Sequence, residues 1–210
     1  MRVTEIFHSI QGEGTRAGRP CVFVRFTGCD LRCGYCDTAY AFHGGRDMTR
    51  GEIVSEVERH PAKLVLLTGG EPLLQHDLPL LAHDLLARGY EVTVETHGQR
   101  PLDRLPRELV RIVDVKTPAS GEVTTDFSYL EGLAPHDEVK FVIASEDDWR
   151  WSAEVIRRHR LEGRVAVLVS PVHGAVDPKD LARWILESGL AVRLNLQIHK
   201  VIWGPSARGV

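Results

Sequence analysis

The stretch Gly28-Cys29-Asp30-Leu31-Arg32-Cys33-Gly34-Tyr35-Cys36-Asp37-Thr38 contains three cysteines in a C-x3-C-x2-C spacing. Three thiolates this close in sequence can bind three corners of one iron–sulfur cube, whereas most 4Fe-4S electron carriers use four cysteine ligands. A cube with three protein ligands leaves its fourth iron open to a substrate or cofactor. The spacing therefore favours a 4Fe-4S cluster on Cys29, Cys33 and Cys36 that takes part in chemistry rather than in electron transfer alone.

Two other sites are compatible with these cysteines. Zinc is usually held by four ligands that come in two pairs, and His43 is close enough in sequence to complete a Cys3His set. Cys33 and Cys36 could instead form a C-x-x-C redox pair. The fourth cysteine, Cys21, lies in an apolar run, so we expect it to be a small buried side chain that the cluster does not need.

The composition is that of an ordinary globular protein. At 210 residues the chain is long enough for one domain, which we place over residues 1–210. A net charge of −3 with no long run of one sign does not predict a nucleic-acid surface or a membrane-binding helix. The sequence has no apolar stretch long enough for a membrane span and no signal-peptide core at its start. Since four unevenly spaced cysteines do not suggest a disulfide framework, we expect a cytoplasmic protein.

Short apolar runs recur along the chain. Runs of Val, Leu and Ile are typical of strands that are buried on both faces of a parallel sheet. We predict six such strands and a candidate seventh near the end of the chain, at residues 21–26, 63–68, 91–96, 112–115, 138–143, 165–169 and 191–196.

Amphipathic segments between these runs predict four helices. The first begins at a capping box, in which Thr49 is followed three residues later by Glu52. The other three are predicted at residues 78–86, 148–161 and 178–188. The alternation of strands and helices indicates the α/β class. About six parallel strands predict a partial or compact β/α barrel rather than the complete eight-stranded one, with its site at the carboxyl ends of the strands.

Several predicted strands end in polar or glycine-containing motifs. The second ends in Thr68-Gly69-Gly70-Glu71-Pro72, where paired glycines let the backbone approach a ligand closely, although Gly-Gly alone also marks an ordinary turn. The fourth leads into Asp114-Val115-Lys116-Thr117-Pro118, and the sixth ends at Ser170. Because these ends meet at one edge of the sheet, Lys116 and Ser170 are candidate binding residues.

The cysteine loop and the glycine motif together resemble those of the radical S-adenosylmethionine (SAM) enzymes. The resemblance implies that SAM binds the open iron, and that one electron from an external donor such as flavodoxin or ferredoxin cleaves it to a 5′-deoxyadenosyl radical. The residues that the resemblance implies in SAM binding are Tyr35, Cys36, Asp37, Gly70, Glu71, Asp114, Lys116 and Ser170.

A narrower resemblance covers nearly the whole chain. Residues 5–14, Arg25, the cysteine loop, the two strand-end motifs and residues 196–203, in this order, resemble the 7-carboxy-7-deazaguanine synthase family. The resemblance implies a radical ring contraction of 6-carboxy-5,6,7,8-tetrahydropterin to 7-carboxy-7-deazaguanine, with loss of ammonia, for queuosine and related 7-deazapurines. It also implies that SAM is regenerated, that Mg²⁺ assists, and that the protein is a homodimer with a shortened β/α barrel.

The pterin substrate suggests roles for particular side chains. Its ring N–H and amino group form a donor edge that a carboxylate matches with two hydrogen bonds. Glu13, flanked by Gly12 and Gly14, is the candidate, although Gln-Gly-Glu-Gly could also be a surface turn. Arg25 and His199 are candidates for binding the substrate carboxylate, but an arginine among apolar neighbours can equally form an ion pair. The predicted substrate-binding set is Ile10, Gln11, Gly12, Glu13, Arg25, Thr68 and His199, and the resemblance assigns Mg²⁺ to the hydroxyl of Thr38.

Two alternative functions remain open at this point. A radical SAM activase that makes a glycyl radical on a protein partner would share the cysteine and glycine motifs. It would not need the Gln11-Gly12-Glu13-Gly14 segment or His199. A zinc-binding interaction module would account for the cysteines alone. Residues 121–135 and the tail after Trp203 match no motif.

Overall fold

The computed structural model describes all 210 residues and places nine strands in one sheet. The strands are β1 (Arg2–Ile10), β2 (Pro20–Phe26), β3 (Arg46–Asp47), β4 (Leu64–Gly69), β5 (Glu91–Thr96), β6 (Val110–Val115), β7 (Glu138–Ile143), β8 (Ala166–Pro171) and β9 (Arg193–Leu194). Their order is β3-β1-β2-β4-β5-β6-β7-β8-β9. Strands β2 and β4 to β9 pair in parallel, while β1 is antiparallel to both of its neighbours. Since hydrogen bonds do not close the sheet, the predicted partial barrel is confirmed.

All four predicted helices are present. The helices are α1 (Arg50–Glu58), α2 (Leu78–Ala87), α3 (Glu146–Arg158), α4 (Pro178–Ser188) and a short α5 (Ile198–Trp203) that was not predicted. At the start of α1 the Thr49 hydroxyl accepts from the backbone of Glu52, whose carboxylate accepts from the backbone of Thr49, so the capping box is confirmed. The connections from β5 to β6 and from β6 to β7 contain no α-helix. None of the helices has the length and apolar character needed to cross a membrane.

The outer face of the sheet carries most of the apolar core. One cluster joins β2, β4 and β5 to α1 and α2, and a second joins β7 and β8 to α3 and α4. The largest side chains with no exposed surface include Phe26, Leu67, Leu81 and Phe141, and each such side chain stabilises the fold by about 1.5–3 kcal/mol. This outer core holds the strands in register, so that their carboxyl ends form one edge.

The inner face of the sheet is apolar at one side and polar at the other. Cys21, Phe23, Leu64, Leu66 and Ile112 form a small apolar cluster there, and Cys21 is buried as expected. Strands β5 to β7 differ from the prediction, because alternate positions carry polar or charged side chains. These are Glu91, Thr93, Glu95, Asp114, Glu138 and Lys140, and alternate residues of a strand share one face. Strands β5 and β7 are therefore mainly apolar on one face only, while β6 carries both Ile112 and Asp114 on its inner face.

The two ends of the chain differ most from the prediction. Residues 2–10 form β1, a strand that was not predicted and that pairs with β2 along its length. The candidate seventh strand at residues 191–196 is reduced to the two residues of β9. After β9 the chain turns into α5, where Ile198 donates its N–H to the carbonyl of Gly12 at 3.1 Å. The first and last segments of the chain therefore meet on the inner face.

Candidate functional site

A cavity of about 470 Å³ lies on the inner face, where the parallel strands end. Arg25, Thr68, Glu95 and Asp114, from four neighbouring strands, line it. The cysteine loop and the residues after β9 complete its walls. The site is therefore at the carboxyl edge, where it was predicted.

The three cysteines of the loop are free thiols, and all three line this cavity. The N–H of Cys36 donates to the carbonyl of Cys33 at 3.1 Å, which closes a tight turn between two of the predicted ligands. Gly34 donates its N–H to the carbonyl of Ser120 at 2.9 Å. This bond ties the loop to the connection that follows β6.

A lysine and an aspartate adjoin the cysteine loop. Burial raises the pKa of Cys29 and Cys33, while the nearby ammonium of Lys116 acts in the opposite direction on Cys33. Lys116 donates to Asp114 Oδ2 at 2.8 Å, and although burial opposes it, this pairing raises the pKa of Lys116 and lowers that of Asp114. The other oxygen, Asp114 Oδ1, is buried and has no hydrogen-bond partner.

These residues fit a 4Fe-4S cluster with three protein ligands. Thiolates are the ligands that bind iron–sulfur clusters, and the cation of Lys116 favours the thiolate form. His43, the candidate fourth zinc ligand, is exposed and lies outside the cavity lining. No group of three or more His, Cys, Asp or Glu side chains converges closely enough to hold a single metal ion.

Gly70 brings the glycine motif directly against the cysteine loop. Its N–H donates to the carbonyl of Phe26 at 3.1 Å, and the N–H of Glu71 donates to the carbonyl of Gly28 at 2.7 Å. A Cβ at Gly70 would lie 1.9 Å from the Gly28 oxygen and 3.0 Å from the Cβ of Cys29. Because side chains do not approach backbone this closely, the contact between the two motifs requires glycine.

The carboxylate of Glu71 is fully buried and bonds to protein groups. It accepts hydrogen bonds from the N–H of Leu73 at 2.9 Å, the hydroxyl of Thr96 at 2.8 Å and the N–H of His97 at 3.0 Å. The ring of His97 also lies 3.0 Å from Asp30 of the cysteine loop. Glu71 thus joins the end of β4 to the end of β5, and a contact of this residue with SAM stays a prediction.

Tyr35, Asp37 and Thr38 all line the cavity. The hydroxyl of Tyr35 lies 3.2 Å from that of Thr117, and burial raises the pKa of Tyr35 to about 12. Lys200 of α5 donates to Asp37 at 2.7 Å, and against the effect of burial this pairing lowers the pKa of Asp37 to about 2. The hydroxyl of Thr38 donates to Asp37 at 3.0 Å.

Ser170 is the one predicted SAM-binding residue that does not reach the cavity lining. Its side chain is buried, and its hydroxyl accepts a hydrogen bond from Nδ2 of Asn195 at 2.7 Å. Asn195, which directly follows β9, covers this strand end. The position of Ser170 at the carboxyl edge was predicted correctly, but another part of the protein occupies the space beside it.

Glu13 points into the cavity and is surrounded by donors. Its Oε1 accepts from Gln197 at 2.8 Å, and its Oε2 accepts from Asn195 at 3.2 Å and from Lys140 at 3.3 Å. Burial acts to raise the pKa of Glu13, but Lys140 and the bond from Gln197 hold it below its usual range. Lys140 also bonds to Glu95. The carboxylate is thus ionised and oriented rather than part of a surface turn.

The other predicted substrate-binding residues lie around Glu13. Ile10, Gln11, Arg25, Thr68 and His199 line the cavity, while Gly12 lies behind it. A Cβ at Gly12 would be 1.9 Å from Nδ1 of His199, so the two residues are in direct contact. Burial lowers the pKa of His199, which favours the neutral ring. Arg25 forms the anticipated ion pair, since its Nε donates to Glu5 at 2.7 Å.

Several lining residues were not predicted from the sequence. These are Glu95 and Lys140 on the strands, Gln197 after β9 and the tail residues 204–210. The charged residues had a recognisable signal, because a carboxylate or ammonium at alternate positions of a buried strand must face a polar space. Gln197 and the tail had no such signal, since only the path of the chain after β9 brings them to the cavity.

Comparison with protein families gives the class of this chain. The Radical SAM superfamily model matches residues 23–185, which include the cysteine loop, the glycine motif and the strands that carry them. The chain is therefore a member of the radical SAM superfamily, as its fold and its three-cysteine loop indicate. This finding confirms the predicted superfamily.

Curated relatives narrow the class to one family. The 7-carboxy-7-deazaguanine synthase of Koribacter versatilis is 48% identical and that of Chlorobaculum tepidum is 42% identical, each over 100% of this chain and over 100% and 97% of the relative. The chain thus belongs to the 7-carboxy-7-deazaguanine synthase family. The crystal structure of QueE from Escherichia coli shares the fold, with a TM-score of 0.76, 22% identity and 93% of each chain covered. These findings support the predicted family and neither of the two alternatives.

Replacing Gly70 tests the contact between the two motifs. We expect Gly70→Ala to bind much less iron on anaerobic reconstitution, because the added methyl group pushes the glycine motif away from Gly28 and Cys29. Gly51→Ala is the matched control, since a Cβ at Gly51 meets no atom within 4 Å. Iron and sulfide content and the visible absorption of the cluster are measured. Full cluster content in Gly70→Ala would show that the loop does not depend on this close approach.

Proposed function

We propose that this chain converts 6-carboxy-5,6,7,8-tetrahydropterin to 7-carboxy-7-deazaguanine by a radical ring contraction with loss of ammonia. The observation that carries the proposal is that an oriented carboxylate, Glu13, and three free cysteines line the same cavity. A radical generated at the cysteine end would therefore meet a ring held at the Glu13 end. Membership of the family supports the same reaction.

Glu13 binds the donor edge of the pterin. Its two oxygens match the ring N–H and the exocyclic amine, and its ionised state makes both hydrogen bonds charge-assisted. Gln197, Asn195 and Lys140 hold the carboxylate in place before the substrate arrives. The substrate thus meets a carboxylate that is already oriented.

Arg25 and His199 bind the substrate carboxylate. The bond from Arg25 to Glu5 uses Nε, which leaves the two terminal nitrogens of the guanidinium to bind an anion. The neutral ring of His199 adds a hydrogen-bond donor without a second full charge. Together they fix the end of the pterin that carries its carboxylate.

The predicted SAM-binding residues, apart from Ser170, line the end of the cavity next to the three cysteines. A 4Fe-4S cluster and SAM supply the reductive cleavage that produces the 5′-deoxyadenosyl radical. Asp114 Oδ1 is buried without a partner, and a hydroxyl or amino group of SAM would satisfy it. Tyr35 covers the cavity beside the cysteines, and together with the buried walls it keeps water from the radical.

Anaerobic turnover tests this proposal directly. Reconstituted protein with reductant, SAM, Mg²⁺ and 6-carboxytetrahydropterin should form 7-carboxy-7-deazaguanine, detected by mass spectrometry. Cys33→Ala should form none, while Cys21→Ala should be active, because Cys21 is buried on the inner face and lies outside the cavity lining. Release of 5′-deoxyadenosine without this product would retain the radical chemistry and refute the substrate.

Mg²⁺ is proposed to bind beside Thr38. The hydroxyl of Thr38 lines the cavity next to the Asp37 carboxylate. Because Asp37 is paired with Lys200, the protein offers few free oxygens there. Mg²⁺ usually keeps several waters and takes further oxygens from its substrate, so a sparse protein contribution is consistent with binding.

Thr38→Ala should weaken the stimulation of turnover by Mg²⁺ and leave cluster content unchanged, because it removes an oxygen ligand and no thiolate. Turnover is measured over a Mg²⁺ titration, and Thr15→Ala is the control at a threonine outside the cavity lining. An equal Mg²⁺ response in wild type and Thr38→Ala would exclude Thr38 from the metal site.

We also propose that the protein is a cytoplasmic homodimer that receives its electron from a flavodoxin or ferredoxin. All four cysteines are free, which is consistent with a reducing compartment. Leu186 of α4 and Val201, Ile202 and Trp203 of α5 are exposed apolar side chains. They lie in the helices that precede and follow β9, an edge strand of two residues. Exposed apolar surface beside an open sheet edge favours association with a second copy.

Light scattering should give twice the chain mass of 23.5 kDa. Val201→Glu, at a residue that is 82% exposed, should lower the mass toward that of one chain, because it places a charge in the apolar surface. Val123→Glu, at an exposed valine elsewhere, is the control. A monomeric wild type would refute the dimer.

A further inference from the structure

Asn195 makes an unusually complete set of hydrogen bonds. The residue is only 5% exposed. Its Oδ1 accepts from the N–H of Gly14 at 2.8 Å, while its Nδ2 donates to Ser170 at 2.7 Å and to Glu13 at 3.2 Å. Its backbone N–H donates to the carbonyl of Val169 at 2.8 Å. Both hydrogens of the amide are thus used, and the residue is anchored to β8.

The chemistry of its partners fixes the orientation of the amide. Asn195 faces the backbone N–H of Gly14, which can only donate, so the atom opposite it must be the oxygen of Asn195. The amino group then faces the carboxylate of Glu13, which can only accept. A reversed amide would place two donors together at Gly14 and two acceptors together at Glu13. The orientation is therefore determined by the network.

The other two donors to Glu13 are held less firmly on it, because Lys140 also pairs with other carboxylates and Gln197 is only partly buried. Lys140 also bonds to Glu95 and lies 3.7 Å from Asp114, so its charge is divided among three carboxylates. Gln197 is only partly buried and makes one side-chain hydrogen bond. Asn195 alone contacts both the backbone of the loop, at Gly14, and the carboxylate that the loop carries.

We propose that Asn195 is a positioning residue, which holds the Glu13 carboxylate at the angle that binds a ligand with two adjacent N–H donors. The inference rests on the proposed role of Glu13 in binding the donor edge of the pterin. Asn195 fixes where the loop lies and which way the carboxylate points. Asn195 and Lys140 both donate to Oε2 and Gln197 donates to Oε1, so the acceptor position that remains for a ligand is on Oε1. A ligand with two N–H donors would use this position and take the place of the partly buried Gln197 for the second. Ser170 anchors Asn195 from behind.

Asn195→Asp is the sharpest test, because it keeps the shape of the side chain and replaces the donor that faces Glu13 with an acceptor. We expect the Kd of 6-carboxytetrahydropterin for the oxidised holoenzyme to rise by about 10- to 100-fold. The KM should rise similarly, with kcat changed far less. Iron content and SAM affinity should match wild type. Gln99→Glu, the same chemical change at an exposed site, should alter none of these values.

A double-mutant cycle distinguishes this inference from the proposed function. In a Glu13→Gln background, Asn195→Asp should have less than about a twofold effect, because the pair is coupled only through the carboxylate. If Glu13→Gln alone binds the pterin as wild type does, the proposed role of Glu13 is wrong. If Glu13→Gln weakens binding and Asn195→Asp does not, the positioning role is wrong. Additive effects, or loss of iron in Asn195→Asp, would also overturn it and assign Asn195 a purely structural role.

A second measurement covers the case in which Asn195→Asp fails to fold. Asn195 is the only asparagine in the chain, so ¹⁵N-asparagine labelling of the wild-type holoenzyme gives a single side-chain amide signal. We expect that signal to shift when 6-carboxytetrahydropterin is added, because the substrate withdraws electron density from Glu13. SAM alone should shift it less. An unchanged signal at saturating pterin would overturn the inference.

Discussion

The polar half of the cavity depends on one buried ammonium. The ammonium of Lys140 lies within ion-pair distance of three carboxylates, those of Glu13, Glu95 and Asp114. Its side chain is almost completely buried. Buried carboxylates are costly unless they are paired. Lys140 provides a cation for Glu13 and Glu95, and it adds to the pairing of Asp114 with Lys116. The pairing raises the pKa of Lys140 well above its ordinary value, against the effect of burial. This pairing allows the inner face of the sheet to carry charged side chains.

The cofactor half obeys a different constraint, which is steric. The glycine motif and the cysteine loop touch through backbone atoms, and the space between Gly70 and Gly28 has no room for a side chain. Glu71 and His97 then tie the same region to the end of β5 and to Asp30. One half of the cavity is therefore held by charge pairing and the other by close backbone contact.

The sequence predicts the cofactor half better than the substrate half. The cysteine spacing and the glycine motif are contiguous, so a short stretch of chain contains the signal for each. Glu13 was also recognised, but its partners Asn195 and Gln197 come from residues 182 and 184 positions away. Local patterns cannot predict such pairing. Lys140 and Glu95 could have been predicted, because a charged side chain at alternate positions of a buried strand indicates a polar space. They were missed because the strands were expected to be apolar on both faces. Ser170 shows the same limit, since its place on the strand was predictable and the side chain that covers it was not.

The separation of Glu13 from its partners has a consequence for how the chain folds. Bringing together segments that are more than 180 residues apart has a large loop-closure entropy, and such non-local contacts form slowly. The strands that precede the cysteine loop and the glycine motif, β2 and β4, are much closer in sequence, since Cys21 pairs with Leu64. The contacts that orient Glu13 therefore span far more of the chain than those that join the two cofactor motifs, and closing them costs more conformational entropy.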